Sequence, residues 1–497
     1  MNTNYQKYTE KLVKITDVNK AIAILGWDQE INMPEGGAAI RAQQIATLSG
    51  IAHELFTDHS MGDLLNELTN DPSLTPEQAN NVAHSKQEFD KKTHLPASFV
   101  QKLSHSTSEG FQAWLAARKK NDFAVFAPFL EKMVNLKRQQ ANLLGFEKQP
   151  YNALLDEFEP NLQVAQLEVL FADVRQKISG LLAKIAAKPV PKNDFMFRFY
   201  AHQKQWDFGI SLLKQIGYDF TYGRQDISTH PFTTDLGMQD VRVTTRINEH
   251  NFHEMTWSTL HEGGHGLYEQ GLLPQNYGLP SGAYLSLSMH EAQSRLYENN
   301  VGRSKAFWQY NFPILQKIFP DNLQKISAEQ FYAAANIVQP GFIRTSADEI
   351  SYHFHIMIRY EIEKALIEGN LAVKDVPDIW NSLYKKYLNL TVKNDLEGCL
   401  QDVHWSHGLF GYFPTYSLGS FYAAQIFRAA EKAMPQLATE IQQGSLLGLN
   451  KWLRENIYQY GKKYSIDELC KKITGEELNL SAFIDYAEKK YTDLYNL

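Results

Sequence analysis

The residues with the clearest chemical meaning lie in the segment 257–270, WSTLHEGGHGLYEQ, which contains the pattern His-Glu-x-x-His. Its histidines, His261 and His265, are four positions apart, so on a helix both imidazoles lie on one side and can bind the same cation. Glu262 would stand beside water held by that cation rather than bind the cation itself. This arrangement is typical of metal-assisted hydrolysis, in which the metal polarises a carbonyl and acidifies water while the glutamate accepts the proton.

Two glycines inside the motif, Gly263 and Gly264, favour a functional site over the alternative of a buried pair of core histidines. Each glycine costs about 1 kcal/mol in a helix interior, so we expect a compensating reason, such as the close approach of another backbone or of a substrate. Asn251, followed three residues later by Glu254, predicts where this helix begins.

A third metal ligand must come from a second segment, because a catalytic zinc ion usually has three protein ligands and one open position. Glu269 lies too far along the first helix to complete the set. Glu291 is our choice, because the turn at 278–282 (GLPSG) lets the following helix fold back antiparallel to the first. Glu298, two turns further on, is predicted to be a surface or supporting carboxylate.

The elements that must position these residues are predicted to be mainly helices, since apolar residues recur at three- and four-residue spacing. The clearest windows are 5–25, 121–144, 162–187, 350–368 and 379–389. Ser346 and Glu349 form a predicted capping box before the fourth window, and Gly369 marks its end.

One strand is predicted at Asp240–Ile247 (DVRVTTRI), where apolar and polar residues alternate, whereas 218–239 is predicted to be loop or turn. No internal repeat or low-complexity linker interrupts the chain. We therefore expect one domain spanning 1–497: a mostly α body with a cleft between two lobes and a small sheet in its middle.

Composition excludes several classes of protein. The chain has 497 residues, and 49 Lys and Arg against 56 Asp and Glu give a formal charge of −7, which argues against nucleic-acid binding. Two cysteines suit a reducing compartment, and the charged start of the chain lacks the apolar run of an export signal. No apolar stretch reaches the roughly 18 residues needed to cross a bilayer. We expect a cytoplasmic protein without membrane partners.

Ordered motifs spread over nearly the whole chain resemble the thermostable carboxypeptidase 1 family, also called the carboxypeptidase Taq family of zinc metallocarboxypeptidases. They are LGWDQEINMPEGGAAIR (25–41), YNALLDEFEPN (151–161), His230-Pro231-Phe232, Asp240-x-Arg242-x-Thr244, the His261 motif, His290-Glu291-x-Gln293, Ile343-Arg344-x-x-Ala347-Asp348 and Gly398-x-x-Gln401-Asp402-x-His404-Trp405. No departure is seen at the metal ligands.

The resemblance implies a gluzincin-like, almost wholly helical fold with a long cleft, a small antiparallel sheet beside the metal, and N-terminal helices (about 1–150) over one side of the cleft. It also implies a homodimer that releases single amino acids from peptide C-termini with broad specificity. One divalent ion per chain is expected, most simply Zn²⁺, with Co²⁺ or Mn²⁺ as alternatives that imidazole and carboxylate ligands also admit.

A carboxypeptidase must bind the free C-terminal carboxylate of its peptide, and arginine does this best through two parallel hydrogen bonds. Arg344 matches the family's substrate-binding arginine and is our first choice. Arg242 on the predicted strand is a second candidate, with an ion pair to Asp240 or Asp348 as the alternative. An edge strand here would also hold an extended peptide by main-chain pairing.

The remaining site residues have less specific roles. His404, Tyr412 and Tyr416 are candidates for stabilising the oxyanion, although core packing is an equal alternative for the tyrosines. The resemblance suggests a substrate-side role for His230, whereas spacing alone indicates only a loop. Asp348 and Asp402 are predicted to hold imidazole or guanidinium groups in place, or else to cap helices.

Two rival functions remain open from the sequence. A zinc oligopeptidase or dipeptidyl carboxypeptidase would share the two-histidine helix and the distant glutamate. A catalytically silent peptide-binding protein would keep only a structural metal, but Glu262 argues against it, because a structural site needs no base.

Overall fold

Four helices at the N-terminus form a bundle with its own small core. The computed structural model describes residues 2–497, apart from the side chains of Glu35, Ala38, Ala97, Gln101 and Ser104. The four helices are α1 (Thr3–Ile31), α2 (Ala38–Thr57), α3 (His59–Thr69) and α4 (Pro76–Thr93). Their shared core contains Tyr8, Leu12, Ile15, Phe56, Met61, Leu64, Leu65, Leu68 and Val82. We call this unit the N-terminal bundle.

The other helices enclose one large, continuous apolar core. Before the sheet they are α5 (Ala97–Lys120), α6 (Ala127–Leu144), α7 (Tyr151–Leu155), α8 (Val164–Ala186) and α9 (His202–Ile216). The middle of the chain forms α10 (Phe252–Gly271), α11 (Leu287–Arg295), α12 (Lys305–Ile318), α13 (Pro320–Leu323), α14 (Ala328–Ala335), α15 (Tyr352–Glu368) and α16 (Val376–Leu388). The last helices are α17 (Pro414–Ala433), α18 (Leu437–Gln442), α19 (Leu447–Asn456), α20 (Ile466–Thr474) and α21 (Ser481–Tyr495).

Each of the five predicted helical windows contains a helix, but α6, α8 and α15 start later than predicted. In the window 121–144, Asn121 has a left-handed backbone (φ 53°) that ends α5, and α6 begins only at Ala127. The predicted capping box of α15 is wrong, because Ser346 lies in a separate 3₁₀ turn. Gly369, with φ 83°, ends α15 as predicted.

The sheet is mixed rather than wholly antiparallel. Its strands are β1 (Gly223–Ile227), β2 (Thr233–Asp235) and β3 (Val241–Thr245), in the spatial order β1-β3-β2. β3 pairs with β1 in parallel and with β2 antiparallel, because the loop after β1 carries the chain across to the other side of β3. Two predictions are therefore wrong: the predicted strand is central rather than at an edge, and part of the predicted loop 218–239 is strand.

Two further observations concern membrane-spanning helices and the cysteines. Among residues 2–497, no helix is long and apolar enough to cross a membrane. The cysteines, Cys399 and Cys470, are both buried and both free.

Candidate metal centre

The helix α10 carries the His-Glu-x-x-His motif and packs closely against α11. Its first residue is Phe252. Asn251 caps this end, as predicted, because its side chain accepts a hydrogen bond from the His253 backbone N–H. A Cβ on Gly264 would collide with the backbone of α11 at Gln293, and a Cβ on Gly263 would lie 2.6 Å from Ile216. The expected close approach of another backbone is confirmed at Gly264, where α10 meets α11, whereas Gly263 makes room for side chains of α9.

Three side chains from these helices converge on one point. The metal-ligating atoms of His261, His265 and Glu291 all lie within 4.8 Å of one another. Glu291 Oε2 is 3.6 Å from His261 Nε2 and 3.4 Å from His265 Nε2. Two imidazole nitrogens and one carboxylate oxygen form a donor set that suits Zn²⁺ and also admits Co²⁺ or Mn²⁺.

Glu298 is a supporting carboxylate rather than a surface group. It is buried, and its Oε2 lies 2.9 Å from His261 Nδ1. A proton on Nδ1 donated to this carboxylate leaves the Nε2 lone pair of His261 directed at the cluster, as in carboxylate–histidine–metal sites. Although burial opposes ionisation, Arg295 and His261 lower the pKa of Glu298 to about 2.

Arg295 holds both carboxylates and was missed from the sequence. Its Nε donates to Glu291 Oε1 (2.7 Å), and its Nη1 donates to Glu298 Oε2 (3.0 Å). Burial alone would raise the pKa of Glu291, but Arg295 and the two cluster histidines lower it well below its usual range. The only sequence signal was helical spacing, since Arg295 lies four residues after one acid and three before the other.

A glycine on α17 makes room for Glu291. A Cβ on Gly419 would lie 2.5 Å from Glu291 Cγ and 2.6 Å from its Cβ. The backbone of α17 at Gly419 therefore packs directly against the Glu291 side chain. This contact restricts the positions that the carboxylate of Glu291 can adopt.

Glu262 lies beside the cluster and bonds to the sheet. It is buried, and its Oε2 accepts a hydrogen bond from the Thr233 hydroxyl on β2 (2.7 Å). Burial raises the pKa of Glu262, whereas His261 and Thr233 oppose that rise. Thr233 fixes one oxygen of the carboxylate, a contact that no sequence motif indicated.

Glu269 binds His290 rather than the cluster. Its Oε1 lies 2.8 Å from His290 Nε2, and the His290 ring stacks on His265 with 4.4 Å between ring centroids. The expectation that Glu269 is not in the ligand set agrees with this geometry. The stack fixes the plane of the His265 ring.

A second group of charged residues lies around Arg344. Arg344 is buried, and its Nε donates to Asp402 Oδ1 (2.9 Å) while its Nη1 donates to the Tyr352 hydroxyl (3.3 Å). Asp402 also accepts from Arg359 (2.6 Å). The two guanidinium groups overcome the effect of burial and lower the pKa of Asp402 well below its usual range. Asp402 thus holds guanidinium groups, one of its two predicted roles.

His404, Tyr412 and Tyr416 lie together beside Arg344, whose guanidinium is 5.0 Å from the centroid of the Tyr416 ring. His404 Nε2 is hydrogen-bonded to the Tyr416 hydroxyl (3.1 Å), and the two tyrosine rings are 5.3 Å apart. Burial lowers the pKa of His404 to about 3 and raises that of Tyr412 to about 12. Burial raises the pKa of both tyrosines, and the charge of Glu291 adds to the rise, so their hydroxyls stay protonated near neutral pH.

A buried glutamate, Glu363 on α15, anchors the loop that carries Asp402 and His404. It accepts hydrogen bonds from the Tyr151 hydroxyl (2.6 Å), Trp405 Nε1 (2.8 Å) and the Gly411 backbone N–H (2.9 Å). Burial raises the pKa of Glu363 to about 7, although these donors oppose the rise.

Among the described residues, three predicted site residues form no hydrogen bond or ion pair with His261, His265 or Glu291. Asp348 lies just before α15 and accepts hydrogen bonds from the backbone N–H groups of residues 350 and 351. It contacts no imidazole or guanidinium among the described residues. Arg242 forms an ion pair with Asp240 (2.7 Å) and lies over Trp27 (4.6 Å). His230 is exposed in the loop between β1 and β2.

Comparisons with known proteins cover nearly the whole chain. A family model described as carboxypeptidase Taq (M32) metallopeptidase matches residues 7–491. Thermostable carboxypeptidase 1 of Thermus thermophilus is 37% identical over 95% of each chain. A solved structure of a protein called CHT is 53% identical, with a TM-score of 0.96 over 98% of this chain and 99% of that one. The M32 carboxypeptidase of Deinococcus radiodurans is 38% identical over 100% of both chains, with a TM-score of 0.97.

Proposed function

The chain belongs to the carboxypeptidase Taq (M32) family of metallopeptidases. From this premise, we propose a role in peptide hydrolysis for each residue of the site. The chain is a metal-dependent carboxypeptidase, a hydrolase that acts on peptide bonds. We propose further that it releases single C-terminal amino acids with broad specificity. The hydrolytic chemistry rests on the convergence of His261, His265 and Glu291. The observation that carries the preference for a free C-terminus is the buried guanidinium of Arg344, held by hydrogen bonds to Asp402 and Tyr352.

The three clustered side chains would hold one divalent ion, which we propose is Zn²⁺, with Co²⁺ or Mn²⁺ as alternatives. The fit rests on the donor set and on the Glu298 contact, which leaves His261 Nε2 free to act as a ligand. When bound, the ion supplies Lewis-acid chemistry, polarising the scissile carbonyl and acidifying water.

Glu262 is the proposed general base. Its Oε2 is held by Thr233, so the carboxylate has a defined direction toward the cluster. A pKa raised by burial makes it a better proton acceptor than an exposed glutamate. It would accept the proton of the attacking water and pass it to the departing amine.

We propose that Arg344 binds the C-terminal carboxylate of the substrate. Asp402 and Tyr352 occupy its Nε and Nη1 and fix the guanidinium plane, whereas Nη2 makes no hydrogen bond to any described residue. That free edge is available for a carboxylate oxygen. Because Arg344 is buried and cannot lose its proton, it would favour peptides with a free C-terminus.

Three neutral donors are proposed for the oxyanion. His404, Tyr412 and Tyr416 form one group beside Arg344, and we propose that they donate to the former carbonyl oxygen, where charge develops. The hydroxyls remain protonated because burial raises both tyrosine pKa values.

We propose that the rest of the peptide pairs with the edge strand β2 through main-chain hydrogen bonds. Thr233 on β2 bonds to Glu262, so a peptide paired with this strand would pass the cluster. Arg242 pairs in register with Thr234, and His230 precedes the strand by three residues. We propose that these two side chains frame the bound peptide, and that Asp348 acts only by holding the start of α15.

Paired substrates test the proposed function. The metal-loaded enzyme should release one amino acid at a time from an N-blocked peptide and should leave the same peptide untouched when its C-terminus is amidated. Arg344→Lys should raise KM for the free acid, because an ammonium cannot reproduce the bidentate fork. Cleavage of the amidated peptide at comparable rate would contradict the carboxypeptidase assignment and support the oligopeptidase alternative.

We also propose a cytoplasmic homodimer with 1–497 acting as a single catalytic domain. The support is the family relationship and the continuous core of the body. Light scattering of the purified chain should give twice the monomer mass, and a monomer mass would contradict the proposal.

A further inference from the structure

A second arginine shares a carboxylate with Arg344. Asp402 accepts a hydrogen bond from the Nε of Arg344 on its Oδ1 (2.9 Å) and one from the Nε of Arg359 on its Oδ2 (2.6 Å). Arg359 lies on α15, outside the motifs that resemble the family, and the proposed mechanism gives it no role. Its side chain has no exposed surface, so it cannot touch a substrate. Any effect of Arg359 on the reaction must pass through its neighbours.

Polar and aromatic contacts fix the position of Arg359. Its Nη1 donates to the backbone carbonyl of His355 (2.8 Å). Its guanidinium lies 4.5 Å from the centroid of the Trp380 ring and 5.5 Å from that of the Phe413 ring. The same Phe413 ring lies 5.6 Å from the guanidinium of Arg344. Because these buried rings exclude water, the charges of the two guanidinium groups are weakly screened.

The charges in this group do not balance. Among residues 2–497, neither Arg344 nor Arg359 forms an ion pair with any acid other than Asp402. Burial and the guanidinium groups lower the pKa of His404 to about 3 and that of His355 well below its usual range, so both imidazoles stay neutral. Two positive charges therefore accompany one negative charge, and the group carries one excess positive charge.

The excess charge decides how strongly Arg344 attracts an anion. With Asp402 as its only charged neighbour, Arg344 would be neutralised, since a carboxylate approaching the pair would be attracted by one member and repelled by the other. Arg359 is paired with the second oxygen of Asp402 and offsets that repulsion. A buried cation without a counter-charge is costly, so the group gains most from a ligand that brings one negative charge.

We propose that Arg359 determines the preference for a free C-terminal carboxylate, because its charge offsets Asp402 and leaves Arg344 attractive to an anion. Arg359 itself does not contact the substrate, and it makes or breaks no bond. This inference rests on the proposed role of Arg344 in binding the carboxylate. Asp402 and Tyr352 orient the guanidinium of Arg344, whereas Arg359 supplies the charge that makes the orientation useful.

The size of the effect follows from Coulomb's law. For a carboxylate on the order of 8 Å from the Arg359 guanidinium, an effective dielectric constant of about 20 gives a change in affinity of roughly thirtyfold. A neutral side chain at this position should therefore weaken the binding of a free C-terminus about 10–100-fold. The binding of an amidated C-terminus should stay nearly unchanged, because an amide carries no charge.

Calorimetric titration of metal-loaded Glu262→Gln protein tests the proposal without turnover. The probes are N-acetyl-phenylalanyl-leucine and its C-terminal amide, which differ only in the terminal group. This host protein should bind the acid at least tenfold more tightly than the amide. Arg359→Met in the same host removes the charge and keeps an unbranched side chain. It should weaken acid binding about 10–100-fold and change amide binding less than threefold.

Further variants separate charge from shape. Arg359→Lys keeps the charge but loses the planar fork, so acid binding should stay within about threefold of the host. Arg359→Gln is neutral and keeps a donor. It should lose as much acid binding as Arg359→Met, and it keeps the test available if that variant does not fold. Arg175→Met is the matched control. Arg175 also pairs with one carboxylate and lies over one aromatic ring, Glu361 at 3.3 Å and Tyr387 at 5.3 Å, but makes no contact with Asp402 among the described residues. Both affinities should stay unchanged in this control.

The outcomes separate this inference from the proposed function. Equal binding of acid and amide by the host, or an acid preference that survives Arg344→Ala, would refute the proposed role of Arg344 and this inference with it. When the host prefers the acid and Arg344→Ala does not, three results would overturn the inference alone. These are unchanged acid binding in the neutral Arg359 variants, a loss in Arg359→Lys as large as theirs, and an equal loss in Arg175→Met.

Discussion

The contact between Gly419 and Glu291 predicts that one added methyl group will weaken metal binding. In Gly419→Ala, the new Cβ would lie 2.5 Å from Glu291 Cγ. Carbon atoms pack at about 3.5 Å or more, so α17 and Glu291 must separate by about 1 Å. Metal–ligand distances tolerate only about 0.2 Å, so a displacement of this size moves the carboxylate out of reach. We expect metal affinity to fall at least tenfold.

Stability without metal separates this effect from general misfolding. Overpacking costs about 1–3 kcal/mol, but alanine gains about 1 kcal/mol of helix propensity over glycine, so the metal-free variant should lose at most about 2 kcal/mol. Gly180→Ala in α8 is the matched control, since a Cβ there meets nothing within 4 Å. It should be stabilised by up to about 1 kcal/mol with unchanged metal affinity.

The assay combines chelator competition, which gives the metal dissociation constant, with urea unfolding of metal-free and metal-loaded protein. Metal loading should stabilise Gly180→Ala as much as the wild type and Gly419→Ala much less. If Gly419→Ala kept wild-type affinity, α17 would not limit the position of Glu291 and the reasoning would be refuted.

Three more predictions concern the remaining network. Glu262→Gln should keep the metal and lose most of kcat, measured by metal analysis and peptide release; full activity at full occupancy would remove Glu262 from the mechanism. Arg295→Met should weaken metal binding about 10–100-fold by chelator competition, because Glu291 and Glu298 both lose their shared donor. Glu363 has a folded pKa of about 7, above the ordinary 4.5, so its stabilisation is present below pH 4.5 and is lost as pH rises through 7. Between pH 5 and pH 8, urea unfolding should therefore show that the wild type loses about 2.5 kcal/mol more stability than Glu363→Gln; equal losses in both proteins would contradict this.

Much of the site could be predicted because its ligands obey local rules. His261 and His265 are one helical turn apart, and Glu291 follows a turn that returns the chain to the first helix. Gly263 and Gly264, which are unfavourable in a helix interior, indicated that another part of the chain packs closely against this helix. Local periodicity likewise predicted that the fold is mainly helical.

The missed contacts depend on tertiary structure. Thr233, Gly419 and Glu363 lie 29, 128 and 48 positions along the chain from the residues they touch, Glu262, Glu291 and Gly411, and no local sequence pattern marks them. The sheet was also mispredicted, because β2 has only three residues and no alternation to detect. Strand order depends on how the loop after β1 crosses β3, which sequence spacing does not reveal.

The buried charges around the cluster give an independent argument for a cation. Glu262, Glu291 and Glu298 supply three carboxylates, against the two guanidinium groups of Arg295 and Arg303. Buried ionic groups add little net stability compared with apolar packing, so such a set is costly unless it binds something. The arginines keep Glu291 and Glu298 ionised, whereas burial leaves Glu262 with a raised pKa. This division suits one carboxylate that binds a metal, one that orients a histidine, and one that exchanges a proton.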